Sequence, residues 1–517
     1  MVDFETILIT LVAALAINYI YNQYINSTKD VNELYLNEQS TIDSTRLSNE
    51  SAVYKSNKLG YASGLRIGLD IRYDHYKLRH GNLSDVWQVI TRYAAKQRGK
   101  GITINDRFQP ILQLNYKIDK FRQYLLKKEA KTVRINLRHF INNFDVLIII
   151  ISAFVSQVTV ELYDDIAYLS EEDEKNALYI VDYEDLKKIQ VENYFNFEDQ
   201  SIYDLEASDE LSEFENEYTF EKDKGIALKI TRRLNNTVLS TVEYTQLNII
   251  SSLAASIKHL PLSKEINYED KLMVIQFTSE KKKSNEELTN QLNKILISFI
   301  TNADLIILEK PNISWSTIFD YKPTILSISE KDLQKLSLDN LKKDLHLNWY
   351  KKFIFNQSLK FLSKGKFTKN DSINPYSKLR LVYVNNTITN PRIFSSPQLN
   401  EFRALLASRL IMEFGYYNIM GPVILTDFYD YRFFELKNLK SWGCISQSLE
   451  LKLTGINEKK EGKLAIRGYS IGKSTNRVIN RTDEVEQNKD IMKANDGFMP
   501  LTNVNGVWGN DGCLYVI

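Results

Sequence analysis

The chain has 517 residues, of which 43% are hydrophobic and 25% are charged, as is typical of globular proteins. Its 66 basic and 65 acidic residues nearly cancel, so we expect no nucleic acid among its partners. A mean hydropathy of −0.31 excludes a polytopic membrane protein. Two cysteines are too few for a disulfide scaffold or a four-cysteine zinc site.

An uncharged segment lies near the start of the chain. Residues 6–25 carry no charge, and a helix needs about 20 such residues to cross a ~30 Å hydrocarbon core. Residues 7–17 are apolar except for one threonine, and the tyrosines within residues 19–24 match an aromatic belt at a membrane surface. We predict a transmembrane anchor over residues 1–26. The alternatives are a buried core helix and a cleaved signal peptide, which the lack of preceding basic residues disfavours.

Charges on the two sides of this segment favour one orientation. Asp3 and Glu5 precede it and Lys29 follows it, which favours a translocated N-terminus and a body in the cytosol. We expect a single-pass protein of an intracellular membrane, foremost the endoplasmic reticulum, with lipid droplets, peroxisomes and the outer mitochondrial membrane as alternatives. The expected partners are the lipid bilayer and other membrane or membrane-associated proteins, with acyl lipids as a further ligand class.

The rest of the chain alternates helical and strand-like patterns. Residues 27–80 are polar and are predicted to form a linker or neck. Apolar residues then recur at helical spacing over residues 83–90. Strand-like runs follow at residues 132–137, 146–155 and 158–162, and the fully apolar second run predicts a strand buried on both faces. This alternation indicates α/β architecture.

Two stretches have a strongly biased charge. Residues 161–224 are acidic and are predicted to form a solvated insert; alternatively, aromatic residues such as Phe195, Phe197 and Tyr203 dock a partner there. Residues 331–370 are basic, with aromatic residues interleaved. They fit either a helix with a solvated face or a patch that contacts a membrane surface.

Short motifs follow one another beyond residue 81. In chain order they are residues 82–87 (NLSDVW), 116–118 (YKI), 304–309 (DLIILE), 321–326 (YKPTIL), 378–384 (KLRLVYV), 461–468 (EGKLAIRG), 496–498 (DGF) and 511–516 (DGCLYV). Over residues 81–517 their order resembles that of the acyl-CoA synthetases and related adenylate-forming enzymes. The resemblance implies the large N-terminal region of that α/β fold, with α/β subdomains and a β-rich subdomain at residues 425–517, behind one transmembrane helix.

In the family a small C-terminal domain, with a lysine that contacts the adenylate, follows the last motif, and we expect this chain to lack it.

The resemblance also indicates where ATP chemistry would take place. Adenylation needs hydrogen-bond donors and cations around the phosphates, and the family supplies donors from a glycine-rich loop. The corresponding residues 231–238 read TRRLNNTV, without glycine or lysine. Without glycine this backbone cannot readily approach a phosphate. Arg232 and Arg233 could still attract an anion, although adjacent arginines are more often simply solvated.

A second motif of the family, Tyr-Gly-x-Thr-Glu, is also altered. Its threonine faces phosphate and its glutamate binds Mg²⁺ in the family. Gly415 and Tyr416 occupy its middle here, and Tyr417 and Asn418 stand where the threonine and the glutamate would be. An amide is a poor substitute for a carboxylate on Mg²⁺.

The third altered motif is Thr-Gly-Asp, whose aspartate binds the ribose hydroxyls in the family. The corresponding residues are Thr502, Asn503 and Val504, and the side chain of valine accepts no hydrogen bond. Three independent losses indicate that the fold no longer performs ATP chemistry.

We therefore predict a membrane-anchored, acyl-CoA-synthetase-like pseudoenzyme with no catalytic residue, cofactor or metal, which acts as a scaffold, adaptor or lipid-handling subunit. The nucleotide-pocket positions are predicted to be degenerate. One alternative is an active ATP-dependent fatty-acid or carboxylate–CoA ligase with divergent motifs. The other is a non-catalytic module that binds an acyl chain or acyl-CoA.

Overall fold

Two β-sheets with a layer of helices between them organise the chain. The computed structural model describes residues 4–43, 47–59, 64–72, 77–97, 99–166, 169, 176–188, 191–205, 220–233, 238–278, 283–432, 441–478, 484–486 and 496–517.

The helices are distributed along the whole chain. They are α1 (Phe4–Ser27), α2 (Glu33–Asn37), α3 (Leu83–Lys96), α4 (Ile111–Lys127), α5 (Phe144–Ser156), α6 (Tyr183–Leu186), α7 (Gln246–Lys258), α8 (Asn285–Thr301), α9 (Trp315–Asp320), α10 (Glu330–Leu336), α11 (Leu338–Asp344), α12 (Trp349–Ser363) and α13 (Ser396–Leu406). Helix α1 is long and apolar enough to cross a membrane, and its described side chains are exposed except for Ile25.

The strands in chain order are β1 (Ser40–Ile42), β2 (Tyr54–Ser56), β3 (Ile71–Arg72), β4 (Leu78–Arg79), β5 (Gly101–Ile104), β6 (Arg107–Pro110), β7 (Thr132–Asn136), β8 (Thr159–Tyr163), β9 (Ala177–Val181), β10 (Tyr194–Asn196), β11 (Ile226–Arg233), β12 (Val238–Thr245), β13 (Lys271–Phe277), β14 (Asp304–Lys310), β15 (Ile325–Ser329), β16 (Leu381–Thr387), β17 (Arg409–Gly415), β18 (Ile424–Leu425), β19 (Ser441–Ile445), β20 (Leu449–Thr454), β21 (Gly462–Gly468), β22 (Lys473–Val478), β23 (Glu484–Glu486), β24 (Met499–Trp508) and β25 (Leu514–Val516).

The larger sheet has the strand order β1-β2-β20-β21-β24-β25-β19-β18-β17-β16-β15-β13-β14-β5-β6 in the described residues. Strands β17 to β5 in this order are mutually parallel, and their connections are helical. The strands from β18 onward pair antiparallel, which makes the C-terminal part rich in hairpins.

The smaller sheet has the order β10-β9-β7-β8-β11-β12-β22-β23 in the described residues. Its strands from β10 to β11 are parallel, and β11, β12, β22 and β23 continue antiparallel. The strands predicted at residues 132–137 and 158–162 are confirmed as β7 and β8. Strands β3 and β4 pair with each other.

The hydrophobic core has two parts, one on each face of the larger sheet. Leu272 and Val274 of β13 face the inner layer, in which α3, α4, α5, α7 and α8 fill the space between the sheets. Met273 and Ile275 face the outer layer, which α9, α10, α11 and α13 cover. The alternation follows from the two-residue period of a strand.

The prediction of a strand at residues 146–155 is wrong, because this run forms α5. The helix begins after Asn143, whose side chain accepts a hydrogen bond from the amide of Asp145, and ends at Gln157, which has a φ of 60°. It packs against α3 and α4 in the inner layer and is buried on nearly all sides. A uniformly apolar run carries no periodicity that distinguishes a helix from a strand.

The interpretation of residues 27–80 as a linker is also corrected. Strand β1 pairs with β2, and β2 pairs with β20, so the described part of this segment extends the edge of the larger sheet. Edge strands are held by backbone hydrogen bonds and carry largely polar side chains. Composition alone therefore did not reveal them.

The acidic residues 161–224 contain β9 and β10, which belong to the smaller sheet, so this part is not a solvated insert. Phe195 is fully buried in β10, with its ring 5.3 Å from that of Phe121. It packs onto the body of the protein and is unavailable as a docking anchor. The densest acidic stretches, residues 171–174 and 213–217, lie outside the described residues.

Candidate functional site

The carboxyl ends of β13, β15 and β16 lie beside the first turn of α8, at one edge of the larger sheet. In open α/β sheets ligands bind at this edge. A cavity of about 380 Å³ opens here, large enough for a small molecule. Its polar lining includes Lys283, Glu287, Gln291, Lys331 and Asn385.

The position predicted for a phosphate loop is a hairpin of β11 and β12. The strands remain paired up to Arg233 and Leu239, so residues 234–237 alone connect the last strand residues. Arg233 is exposed at the end of β11. Residues 234–237, the middle of the predicted loop, lie outside the described residues, and their sequence contains no glycine.

Arg232 points toward the start of α8. Its guanidinium donates hydrogen bonds to the carbonyl oxygen of Lys283 and, at 3.1 Å, to Oδ1 of Asn285. Its Nε lies 3.7 Å from the carboxylate of Asp164. These contacts join β11 to α8 and give Arg232 a structural role.

The N-terminus of α8 is satisfied by the chain itself. Ser284 Oγ accepts a hydrogen bond from the amide of Glu287, and Glu287 Oε2 accepts one from the amide of Ser284 at 2.9 Å. Glu286 and Glu287 place two carboxyl groups in the first turn, where helix N-termini otherwise attract anions. Burial raises the pKa of Glu286.

Gly415 ends β17 and is covered by Glu286. A Cβ atom added to Gly415 would lie 3.2 Å from Cβ of Glu286, which is closer than ordinary van der Waals contact. The neighbouring Tyr416 is buried, and its hydroxyl oxygen accepts a hydrogen bond from the amide of Thr502 at 3.0 Å. The structure therefore brings together Tyr416 and Thr502, from the second and third motifs.

Asn418 and Val504 are packing residues. Asn418 is fully buried, and its Nδ2 lies 3.2 Å from the sulfur of Met499 in β24. Its Oδ1 has no hydrogen-bond partner among the described residues. Val504 is buried in the outer core, whereas the side chain of Thr502 is exposed.

A buried polar network, which sequence reasoning missed, lies behind the cavity. Lys294 of α8 forms an ion pair with Glu413 of β17, and Asn290 also donates to Glu413. The ammonium group of Lys294 lies 3.4 Å from the ring centre of Tyr383. The one available signal was Glu413 itself, a lone charge in the otherwise apolar sequence 410–414 (LIMEF).

Comparisons with known proteins identify the fold. No family profile matches the chain. The putative uncharacterized protein YHR045W of Saccharomyces cerevisiae is 28% identical over 573 residues, covering 99% of this chain and 98% of the yeast protein. The luciferase-like enzyme of the nonluminescent mealworm Zophobas morio superimposes with a TM-score of 0.56 at 13% identity, covering 88% of this chain and 98% of that one. The N-terminal domain of FACL13 from Mycobacterium tuberculosis has a TM-score of 0.54 at 10% identity, covering 84% and 100%.

The chain has the fold of the adenylate-forming enzymes. The fold implied by the order of the sequence motifs is therefore confirmed. The yeast relative is uncharacterised and adds no activity.

Charges of both signs lie between α8 and the end of β16 in this adenylate-forming fold: the cavity is lined by Lys283, Lys331 and Lys335 with Glu287 and Asp332. A small recess beside the main cavity is lined by Glu286, Glu287 and Glu330, with Lys331 as its cation. Glu330 accepts hydrogen bonds from the amides of residues 393 and 394, which fixes its carboxylate in place. The recess, but not the cavity, therefore has an excess of carboxyl groups that disfavours a polyphosphate.

One group of described side chains has the spacing of a metal site. His139 Nε2 lies 3.0 Å from Asp185 Oδ2 and 3.5 Å from Asp182 Oδ2. Arg138 forms ion pairs with both carboxylates. Its guanidinium supplies the positive charge that a metal ion would bring, so these residues form a salt-bridge network.

Proposed function

We propose that this is a membrane-anchored protein with an adenylate-forming fold that does not activate carboxylates with ATP. It acts through binding, as a scaffold, adaptor or lipid-handling subunit. The observation that carries the proposal is the β11–β12 hairpin, whose pairing continues to Arg233 and Leu239. The five residues between this last pair, 234–238, include no glycine, whereas a loop that surrounds phosphates needs close backbone approach.

The start of α8 supports the same conclusion. Free amides at a helix start are natural donors for a phosphate, but those of Ser284 and Glu287 are engaged in the capping box. Glu286 covers Gly415, and Arg232 is held by the backbone of Lys283. These internal contacts support the absence of ATP chemistry.

Membrane attachment is supported by α1. Its residues Glu5–Ser27 are long and apolar enough to cross a membrane, and the most apolar part of this segment is not buried against the body. An exposed apolar surface of this length is unfavourable in water. Insertion into a bilayer would remove it from water.

The test is nucleotide binding by the full chain in detergent micelles. We expect no saturable heat when Mg-ATP is titrated to millimolar concentration, and no pyrophosphate release with fatty acids and coenzyme A. A fatty acyl-CoA synthetase of the same fold is the positive control. A saturable heat that disappears in Gly415→Ala, whose added Cβ would lie against Glu286, while thermal unfolding shows that the variant is folded, would establish an active site and favour the ligase alternative.

A second candidate function is the binding of a small ligand without reaction. Gln291 lines the cavity and Asn290 its adjoining recess, and Oε1 of Gln291 and Oδ1 of Asn290 are buried without a hydrogen-bond partner among the described residues. Buried acceptors without partners are costly, and a ligand with N–H or O–H groups would satisfy them. Thermal-shift measurements with fatty acids and acyl-CoA test this function, with Gln291→Met as the matched variant that should lose any stabilisation.

A further inference from the structure

Helix α12 has an unusual outer face. All five tryptophans lie in the described residues; Trp349 is 81% exposed, whereas three of the others are buried and Trp508 is stacked on Tyr54. Tyr350 and Phe353 are also exposed. Large aromatic side chains seldom face water together, so this group indicates a contact surface.

The two faces of α12 are distinct. Ser358 and Leu362 are buried against the body. The exposed residues recur at three- and four-residue intervals, which places them on one side of the helix. They are Trp349, Lys352, Phe353, Asn356, Lys360 and Ser363; Tyr350 is also exposed but lies about 100° around the helix from Trp349. This outer face combines aromatic rings with lysines and carries no acidic residue.

The chain that follows α12 is fastened to the end of α1. Lys364 and Lys366 lie 4.5 Å from the ring centres of Tyr21 and Tyr24, respectively. Lys366 also donates a hydrogen bond to Thr28 Oγ1 at 2.9 Å. The C-terminal end of α12 thus lies beside the end of the helix proposed as the anchor, with Trp349 at the opposite end of α12.

We propose that the outer face of α12 lies on the membrane surface beside the anchor. Trp349 and Phe353 enter the headgroup region, and Lys352 and Lys360 contact anionic phosphates. Aromatic residues favour this region, and each lysine near an anionic surface strengthens binding roughly fivefold. The inference rests on the proposed membrane anchor, and it adds a second contact that fixes how the body lies against the bilayer.

Lipid-specific quenching of Trp349 tests the proposal. The full chain is reconstituted in vesicles of 70% phosphatidylcholine and 30% phosphatidylserine, with and without brominated acyl chains. Brominated lipid should quench an emission component of the wild type that is missing in Trp349→Phe. Equal quenching of both proteins, when both float with the vesicles, would overturn the inference and leave the anchor intact.

Two further outcomes of this experiment are decisive. A chain that does not float with vesicles refutes the anchor, and the inference with it. Protection of Trp349 from aqueous iodide without quenching by brominated lipid would assign the face to a second copy of the chain and also overturn the proposal.

The lysines are tested by charge reversal. In a full chain released from the bilayer by Val12→Arg and Leu15→Arg, adding Lys352→Glu and Lys360→Glu should weaken sedimentation with the same vesicles by at least about tenfold. The matched control is Lys459→Glu with Lys463→Glu, two exposed lysines of which the first lies in the turn between β20 and β21 and the second at the start of β21. An equal loss in the control variant would show a general charge effect and contradict the assignment.

Discussion

Lys294 of α8 and Glu413 of β17 form an ion pair from which solvent is excluded, since the two side chains are 1% and 0% exposed. The pair joins the inner helical layer to the larger sheet. Burial lowers the pKa of Lys294, against the attraction of Glu413. A buried ion pair contributes little more to stability than a well-packed apolar pair would. Removing one partner, however, leaves an uncompensated buried charge, which is strongly destabilising.

Lys294→Met should therefore lower the free energy of unfolding by about 3–5 kcal/mol, because it leaves the Glu413 carboxylate without its cation. Lys294→Met combined with Glu413→Gln should regain part of this loss. The matched control, Lys310→Met, breaks the solvent-exposed pair with Asp106 and should cost less than about 1 kcal/mol. Urea unfolding measures all three, and equal losses for the two single variants would contradict the prediction.

His259 should make the protein sensitive to mild acid. Burial lowers its pKa, and the nearby charges of Lys294 and Lys58 act in the same direction. Its ring lies between the carbonyl oxygen of Ser256 and the hydroxyl of Tyr383, which suits the neutral form. The stability that this residue contributes is present above the unfolded-state pKa of about 6.5 and is lost as the pH falls below it.

Below pH 6.5 the wild type should lose about 1.4 kcal/mol of unfolding free energy per pH unit relative to His259→Gln. Urea unfolding between pH 5.5 and 7.5 measures this slope. His80→Gln, at an exposed histidine, is the control and should follow the wild type. Parallel pH profiles for the wild type and His259→Gln would exclude the proposed role.

The anchor can be tested by two arginines. Val12→Arg and Leu15→Arg should release the protein from membranes in carbonate extraction, because each arginine near the centre of a span costs roughly 2.5–3.5 kcal/mol. Val12→Ile with Leu15→Ile is the apolar control and should stay in the pellet. Retention of the arginine variant would place the attachment outside α1.

Phe195 should be needed for stability, since it is buried between the rings of Phe121 and Tyr124. Phe195→Ala should cost about 3–5 kcal/mol of unfolding free energy. Tyr203→Ala is the comparison. The side chain of Tyr203 is exposed, and the ammonium group of Lys117 lies 4.6 Å from the centre of its ring. Its removal should lower the free energy of unfolding by about 1 kcal/mol. A stable Phe195→Ala variant would restore the docking hypothesis for this segment.

The sequence predicts some of these structural features and not others. Strands such as β7 and β8 and the order of the motifs were predictable, because they depend on local pattern. Helix α5 was not, because four consecutive isoleucines, residues 148–151, favour a strand locally while the inner helical layer accepts a helix that is apolar all round. The Lys294–Glu413 pair joins residues 119 positions apart, and a contact at this separation cannot be predicted from local sequence patterns.

Arg232 and Arg233 provide a matched pair for the proposed function. Arg232 holds the start of α8 through Asn285 and the carbonyl oxygen of Lys283, whereas Arg233 is exposed. Arg232→Ala should lower the free energy of unfolding by about 1.5–3 kcal/mol, because it removes charge-assisted hydrogen bonds. Arg233→Ala should change it by less than about 1 kcal/mol, because contacts of exposed charged side chains contribute little. Neither variant should alter the response to Mg-ATP, so thermal unfolding is recorded with and without the nucleotide. A nucleotide-dependent stabilisation of the wild type that is lost in Arg232→Ala, with its unfolding otherwise unchanged, would show that Arg232 binds phosphate and would refute the proposal.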